Sequence, residues 1–306
     1  MNNKSLVIGY GSIGARHAAA LQSLNCDVAC VSKRLDVPVN TYKSIEHGLS
    51  ELKPELVIIS NPTSEHYKAC KELERLKYKG LLLIEKPVFD RSPNEKIALP
   101  ENTFVAYNLR FNPIVQRLRA KLDGRRIFSA QFSVGQYLPT WRPDSDYRNL
   151  YSASKTIGGG VLRDLSHELD LTLWLLGGWV RVSAICGKFG NLEINSEDTV
   201  EAIVQTENCP SVSIHLDYHS LFTYRRITIH ADGLSLEADL IESVLKMTEG
   251  EEFFEADRNE TYISQIEALL SGDFSSLCPF EQGIEVLRLI EAIEKASENN
   301  KWELRK

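Results

Sequence analysis

Apolar residues in the first hundred positions fall into short unbroken runs, separated by longer stretches in which they recur at helical spacing. The runs are Leu6-Val7-Ile8, Val28-Ala29-Cys30-Val31, Leu56-Val57-Ile58-Ile59, Leu81-Leu82-Leu83-Ile84 and Phe104-Val105-Ala106. A run that is apolar at consecutive positions reads as a strand buried on both faces, because side chains point alternately to the two sides of a sheet. Between the runs, Ile13, His17, Leu21 and Leu24, and later His66, Ala69, Cys70, Leu73 and Leu76, mark helices with one buried stripe. Strands of this kind alternating with helices predict a parallel sheet covered on both sides, an α/β domain.

The pattern changes after about residue 125. A strand is predicted over 126–138, then a long polar stretch, then a helix near 164–176. Short strands follow at about 180–189, 199–207, 211–219, 225–231, 234–240 and 243–248, and their short links imply an antiparallel meander. In one of them Val212, Ile214, Leu216 and Tyr218 face one way, and Ser213, His215, Asp217 and His219 the other. Two helices close the chain, near 260–271 and 280–297; in the second, Phe280, Ile284, Leu287 and Ile290 form an apolar stripe. At 306 residues the chain is too long for one ordinary core. The expected organisation is an α/β domain over residues 1–112 and an α+β domain over residues 113–306.

With 43% hydrophobic and 25% charged residues, the composition is that of an ordinary globular protein. A net charge of -7 argues against nucleic acid or an anionic membrane as partner, since both are polyanions. No apolar run is long enough to span a bilayer. The first strand follows Met1-Asn2-Asn3-Lys4 at once, which leaves no room for a signal peptide. The six cysteines (Cys26, Cys30, Cys70, Cys186, Cys209, Cys278) form no CxxC pair, and most lie inside apolar patterns as small hydrophobes. A reducing, cytoplasmic setting is expected.

Gly9-Tyr10-Gly11-Ser12-Ile13-Gly14 follows the first strand and opens the first helix. In a G-x-G-x-x-G corner the first glycine permits the tight turn and the second lets the backbone approach a pyrophosphate. The third lets helix and strand pack closely, while free N–H groups at the helix start hold the phosphates. Cofactor choice is set about twenty residues on, at the end of the second strand. Ser32-Lys33-Arg34 stands there. A carboxylate would repel a ribose 2′-phosphate, whereas a hydroxyl and two cations bind it with charge-assisted hydrogen bonds. NADP(H) is the expected cofactor, with NAD(H) as the alternative.

Further along come Ile59-Ser60-Asn61-Pro62-Thr63-Ser64-Glu65-His66, then Glu85-Lys86-Pro87, then Gly158-Gly159-Gly160-Val161-Leu162-Arg163-Asp164-Leu165-Ser166-His167. In this order and spacing they resemble the glucose–fructose oxidoreductase, inositol dehydrogenase and rhizopine-catabolism (Gfo/Idh/MocA) family, over nearly the whole chain. The stretch from Tyr137 through Trp141, Arg142, Asp146 and Arg148 to Asp170 looks like a subgroup linked to cell-surface sugar biosynthesis. The resemblance implies a Rossmann domain followed by an open, predominantly antiparallel sheet. It also implies hydride transfer at a hydroxyl or carbonyl carbon, commonly of a sugar or cyclitol, and homo-oligomers formed through the C-terminal sheet. It places Asn61, Pro62, His66, Glu85 and Lys86 around the dinucleotide, and the matching Lys-Pro bond is often cis. Asp164 and His167 match the family's acid/base pair. Many members separate the two by three residues; here two intervene, and both spacings leave the side chains on one helical face.

Removing a hydride from an alcohol carbon requires the hydroxyl proton to leave as the carbonyl forms. Histidine suits that step because its unperturbed pKa lies near neutrality. His167 is therefore assigned as general base in oxidation and general acid in reduction. Lys86 would donate a hydrogen bond to the reacting oxygen, and Asp164 would orient His167 or bind a neighbouring hydroxyl. The alternative is structural: a buried, hydrogen-bonded His167, and Asp164 as a first-turn carboxylate favoured by the helix dipole. The polar stretch from Leu138 to Ile157 is long for a loop, as functional loops often are. Its Trp141, Arg148 and Tyr151, with Asn108 and Arg110 after the strand ending near Tyr107, are the expected substrate contacts. Arg-Asp pairing on a solvated surface is the alternative for this stretch. His215, Asp217 and His219, with His230 nearby, could suggest a metal. Side chains two apart on a strand stand roughly 7 Å from each other, however, so no metal is expected. Two further functions fit the same fold: a glycosidase that uses tightly held NAD transiently, and a non-catalytic NADP(H)-binding regulator.

Overall fold

The computed structural model describes residues 3–34, 36–255, 257 and 259–305. The chain clusters into two compact units, Met1–Phe111 with Asp257–Ile284, and Asn112–Ala256 with Glu285–Lys306.

The first unit alternates β1 (Lys4–Ile8), α1 (Ser12–Ser23), β2 (Asp27–Val31), β3 (Asn40–Tyr42), α2 (Ile45–Leu52), β4 (Leu56–Ile59), α3 (Thr63–Arg75), β5 (Leu81–Ile84) and β6 (Thr103–Val105). These strands lie in the order β6-β5-β4-β1-β2-β3 and all pair in parallel. The order reverses beside β1, so the glycine corner after β1 stands at the switch point where open α/β sheets bind ligands. Val7, Ile8, Ile58, Ile59, Leu82 and Leu83 are almost wholly buried, as unbroken apolar runs require.

The second unit begins with α4 (Pro113–Leu122). Asn112 caps this helix by accepting from the N–H groups of Ile114 and Val115 at 2.9 and 3.4 Å, with Pro113 in the first turn. Then follow β7 (Ile127–Gly135), α5 (Val161–Asp164), α6 (His167–Leu176), β8 (Trp179–Gly187), β9 (Thr199–Thr206), β10 (Val212–Asp217), β11 (Tyr224–Ala231), β12 (Leu234–Asp239), β13 (Val244–Met247) and β14 (Gly250–Phe253). After β14 the chain returns to the first unit as α7 (Glu260–Ser271) and β15 (Cys278–Pro279), the latter antiparallel to β6. Helix α8 (Phe280–Asn299) starts in the first unit and ends in the second, where β16 (Glu303–Leu304) pairs with β8.

The second sheet runs β14-β13-β12-β11-β7-β10-β9-β8-β16, antiparallel except where β10 pairs with β7. Leu245, Ala238, Ile227, Phe132, Ile214 and Ala202 are cross-strand partners in one continuous buried row. The facing positions His215, Ser213, Glu201 and Ile203 are half-buried or exposed, so the sheet is apolar on one side.

Two expectations change. A single domain boundary near residue 112 does not describe the chain, because Ile266, Leu269 and Leu277 pack into the same core as Val7, Leu21 and Phe104. The helix expected over 164–176 is two: α5 ends at Asp164, Leu165 leaves helical geometry (φ -100, ψ 28), and α6 starts at His167. At the break the Glu168 N–H bonds three residues back to Leu165, so Asp164 and His167 flank a tight junction and do not share one helical face.

The six cysteines are all free. Burial pushes the Cys70 thiol up to about 12, as befits a packed, unreactive side chain. Among the described residues no helix is long and apolar enough to cross a membrane.

Candidate active site

The expected site residues divide between the two units, and each group is described within its own unit. In the first, Gly9 has φ +95 and sits so close to the next strand's end that a Cβ there would stand 2.6 Å from the Asn61 nitrogen. A Cβ on Gly14 would stand 2.1 Å from the Gly9 carbonyl oxygen, so helix and turn can approach only with glycine at both places. At Gly11 a Cβ would meet nothing within 4 Å. Its bare side opens outward at the head of α1, whose N-cap Gly11 supplies no side-chain cap and whose first turn holds no acid. Ser12 and Ile13 form that first turn. The N–H groups of a helix's first turn beside an uncovered glycine suit a pyrophosphate, so the residues present fit the expected dinucleotide. The Asn61 side-chain oxygen, buried and without a hydrogen-bond partner, adds an acceptor next to the corner.

Past β2, Ser32 Oγ accepts the Arg34 N–H at 3.1 Å, and Arg34 reaches towards the Tyr10 carbonyl within the glycine corner at 3.5 Å. Its guanidinium also pairs with Asp36 at 3.3 Å, with both side chains mostly exposed. An exposed pair of this kind is screened by solvent and too weak to hold Arg34 away from a phosphate. Lys33 is exposed beside it.

Lys86 follows β5, and the Lys86–Pro87 bond is cis. Two of the expected dinucleotide contacts are engaged elsewhere. Glu85 is buried; its Oε1 lies 2.7 Å from His17 Nε2 and its Oε2 accepts the Lys86 N–H at 3.1 Å. Burial works to raise the Glu85 pKa, but the His17 hydrogen bond and the charges of His17 and Lys86 together hold it below the usual value. His66 is buried with Nε2 2.9 Å from the Asn61 carbonyl and Nδ1 3.1 Å from that of Val88. Burial depresses its pKa, although both carbonyls pull the other way. Both side chains are tied to neighbouring protein groups, Glu85 to His17 and the Lys86 N–H, His66 to two carbonyls, which their sequence positions could not show.

Asn108 and Arg110, expected at the substrate, turn inward instead. Asn108 Nδ2 donates to Thr261 Oγ1 at 2.7 Å, and Arg110 Nη1 donates to the Leu277 carbonyl at 3.1 Å and to Gln282 Oε1 at 2.8 Å. Both are buried, and they tie the returning segment to the first unit.

In the second unit the turn Gly158-Gly159-Gly160 delivers α5. Gly160 has φ +128, and a Cβ there would collide with the Glu197 carboxylate at 2.0 Å. Glu197 Oε1 accepts the Leu162 N–H at 3.3 Å, and burial pushes the Glu197 pKa up to about 7. Arg163 pairs with Glu294 at 2.6 Å. Half-exposed Asp164 accepts a 2.6 Å hydrogen bond on Oδ2 from Tyr218, which is fully buried. Burial, then the charge of Asp164, drives the Tyr218 pKa well above its usual value, so the phenol stays a donor. The Tyr218 ring meets Trp141 edge-on, with centroids 5.2 Å apart. Half-exposed His167 opens α6, and the next residue, Glu168, is buried against Arg225 at 2.8 Å.

Tyr218 is the residue that sequence reasoning missed, since its place on the apolar side of a strand marks it as core. Removing only the hydroxyl, by Tyr218→Phe, should lower stability by about 1.5–3 kcal/mol, the scale of one hydrogen bond to a carboxylate. Urea unfolding reads this directly, and an unchanged midpoint would mean that the bond contributes nothing.

The stretch 138–157 folds as four short 3-10 turns, Leu138–Thr140, Tyr147–Asn149, Tyr151–Ala153 and Lys155–Ile157. Arg148 is half-exposed and pairs with Glu193 at 2.7 Å and Asp146 at 3.7 Å. The Tyr151 hydroxyl donates to the Gly158 carbonyl, bracing the glycine turn. Trp141 Nε1 is buried without a hydrogen-bond partner. On the sheet, His215 lies 2.5 Å from Glu201 and 3.0 Å from Asp217, so the two side chains expected to stand apart meet. His230 bonds to Ser235 instead. Among the described residues no group of three or more His, Cys, Asp or Glu could hold a metal ion.

A seven-stranded sheet, parallel except for its edge strand β15 and with a glycine corner at its switch point, joined to a one-sided, predominantly antiparallel sheet, defines a Rossmann-type protein with an α+β second domain. Residues 115–237 match the family model of the GFO/IDH/MocA C-terminal domain. No curated protein matches it in sequence. Among solved structures it is similar to levoglucosan dehydrogenase in complex with NADH, at 16% identity and a TM-score of 0.80, covering 99% of this chain and 98% of that one. It is similar to the WlbA dehydrogenase of Bordetella pertussis, in complex with NADH and UDP-GlcNAcA, at 17% identity and a TM-score of 0.80, covering 100% and 99%. A myo-inositol dehydrogenase of Corynebacterium glutamicum matches at 17% identity with a TM-score of 0.77, covering 100% and 99%.

Proposed function

We propose that this protein is a nicotinamide-dinucleotide-dependent oxidoreductase acting at a hydroxyl or carbonyl carbon of a sugar or nucleotide-sugar-like substrate, with NADP(H) preferred. The observation that carries the reading is the uncovered Gly11 at the head of α1, a cradle that a Cβ would fill. The similar structures of levoglucosan dehydrogenase in complex with NADH and levoglucosan, and of the WlbA dehydrogenase in complex with NADH and UDP-GlcNAcA, support the substrate class. A bound nicotinamide ring would supply the hydride acceptor in oxidation and the donor in reduction. His167 would take the hydroxyl proton in oxidation and return it in reduction. Lys86 would hold the reacting oxygen and offset its developing charge. Asp164, held by Tyr218, would orient His167 or a neighbouring substrate hydroxyl.

A screen of free and nucleotide-linked sugars, followed at the absorbance of the reduced dinucleotide, tests the function. Absence of turnover on every sugar, with dinucleotide binding intact, would favour a regulator.

The preference for NADP(H) rests on Ser32, Lys33 and Arg34. Arg34→Ala should raise the KM for NADPH about tenfold and leave that for NADH nearly unchanged, the loss of one charge-assisted phosphate contact. Equal effects on both dinucleotides would sink the preference.

A further inference from the structure

We infer that His17 is a positioning residue for Lys86, acting through Glu85 from within the dinucleotide-binding helix. The inference rests on the proposed function for its kinetic consequence and on geometry alone for the link itself. His17 lies on α1, the helix that begins at the glycine corner, and its side chain is wholly buried. Its Nε2 faces Glu85 Oε1, and the second oxygen of the same carboxylate accepts the Lys86 N–H. One carboxylate thus joins α1 to the backbone of the candidate catalytic lysine.

The far end of that turn is held in the same manner. His66, on α3, bridges the carbonyls of Asn61 and Val88. Residues 85–88 therefore run between two buried imidazoles, each on a helix that starts at a loop expected to touch the dinucleotide. Burying a charged carboxylate is costly, and apolar side chains of like size often replace such pairs without loss of stability. What an apolar pair could not do is fix the direction of the Lys86 N–H, because that needs an acceptor held at both oxygens. If His17 is removed, Glu85 keeps its burial and loses a partner, so it rotates or takes a proton and the Lys86 bond weakens. The ring of Tyr262, edge-on to His17 at 5.3 Å, confines the imidazole from the other side.

The test compares His17→Leu, which removes the donor, with His17→Gln, whose amide can still donate to Glu85. Amide hydrogen exchange at Lys86 should be about 10–100-fold faster in His17→Leu and near the original rate in His17→Gln. Turnover should follow: kcat lower by about 10–100-fold in His17→Leu and mostly restored in His17→Gln, with dinucleotide affinity kept within about threefold in both. Adding Glu85→Gln to His17→Leu should change kcat by less than about twofold, as members of one linkage do. Unchanged exchange at Lys86 in His17→Leu would overturn the inference. So would equal damage in both variants together with lost dinucleotide binding, which marks a packing role. Should His17→Leu fail to fold, His17→Asn, whose shorter amide falls short of Glu85, takes its place with the same readouts. If the unsubstituted protein oxidised no sugar with either dinucleotide, the functional reading would fail while the exchange rates still decided the link.

Discussion

Replacing His167 by Asn is expected to lower kcat by about 10²–10⁴-fold while leaving dinucleotide affinity within about threefold. Asparagine keeps a polar side chain of similar reach but cannot change its protonation near neutral pH, so only proton transfer is removed. His167 opens α6 at a half-exposed position, in reach of solvent, and the buried Glu168–Arg225 pair next to it anchors that turn. Stopped-flow turnover and calorimetry with the dinucleotide, run on the same preparation, separate the two quantities. A variant that turns over normally would remove His167 from the chemistry and leave it a structural residue.

Lys86→Met should reduce kcat by about 10²–10³-fold, the scale of losing one preorganised donor to a developing oxyanion. Methionine matches the length and apolar stem of lysine, so the turn held by Glu85 and His66 should persist and thermal stability should change little. Lys86→Arg is expected to recover only part of the rate, because a planar fork delivers its protons from a different place than a compact ammonium does. A rise in KM with kcat unchanged would instead make Lys86 a binding residue without a role in the transition state.

The strands of the first sheet were legible because burial on both faces permits one pattern only, consecutive apolar residues, and β1, β2, β4 and β5 show it. Strand β3 has none of that signature: Asn40 and Thr41 are exposed at the sheet edge, and nothing apolar marks them. Helix α4 carries a readable signal in Asn112-Pro113 ahead of Ile114, Val115, Leu118 and Leu122. The glycine corner could be read in full, because its demands are local and steric. The residues flanking it were harder. Glu85 and His66 have the right chemistry in the right place, and only their partners, 68 and 22 residues away, reveal that they hold backbone. Asn108 and Arg110 failed for the same reason, since Thr261, Leu277 and Gln282 lie more than 150 residues downstream. A polar side chain after a strand looks the same whether it faces a ligand or a returning segment.

The return of Asp257–Ile284 to the first unit means that this unit cannot be finished as the ribosome passes residue 112. Until residues 257–284 emerge, β6 has a bare edge where Cys278 and Pro279 will pair, and Phe104 lacks the cover later given by Phe274. A fragment cut at Phe111 would display that edge and bare core permanently and should aggregate. Synthesis of this protein therefore leaves its first unit waiting on residues 257–284, and a truncation that removes them would strip that unit of part of its core.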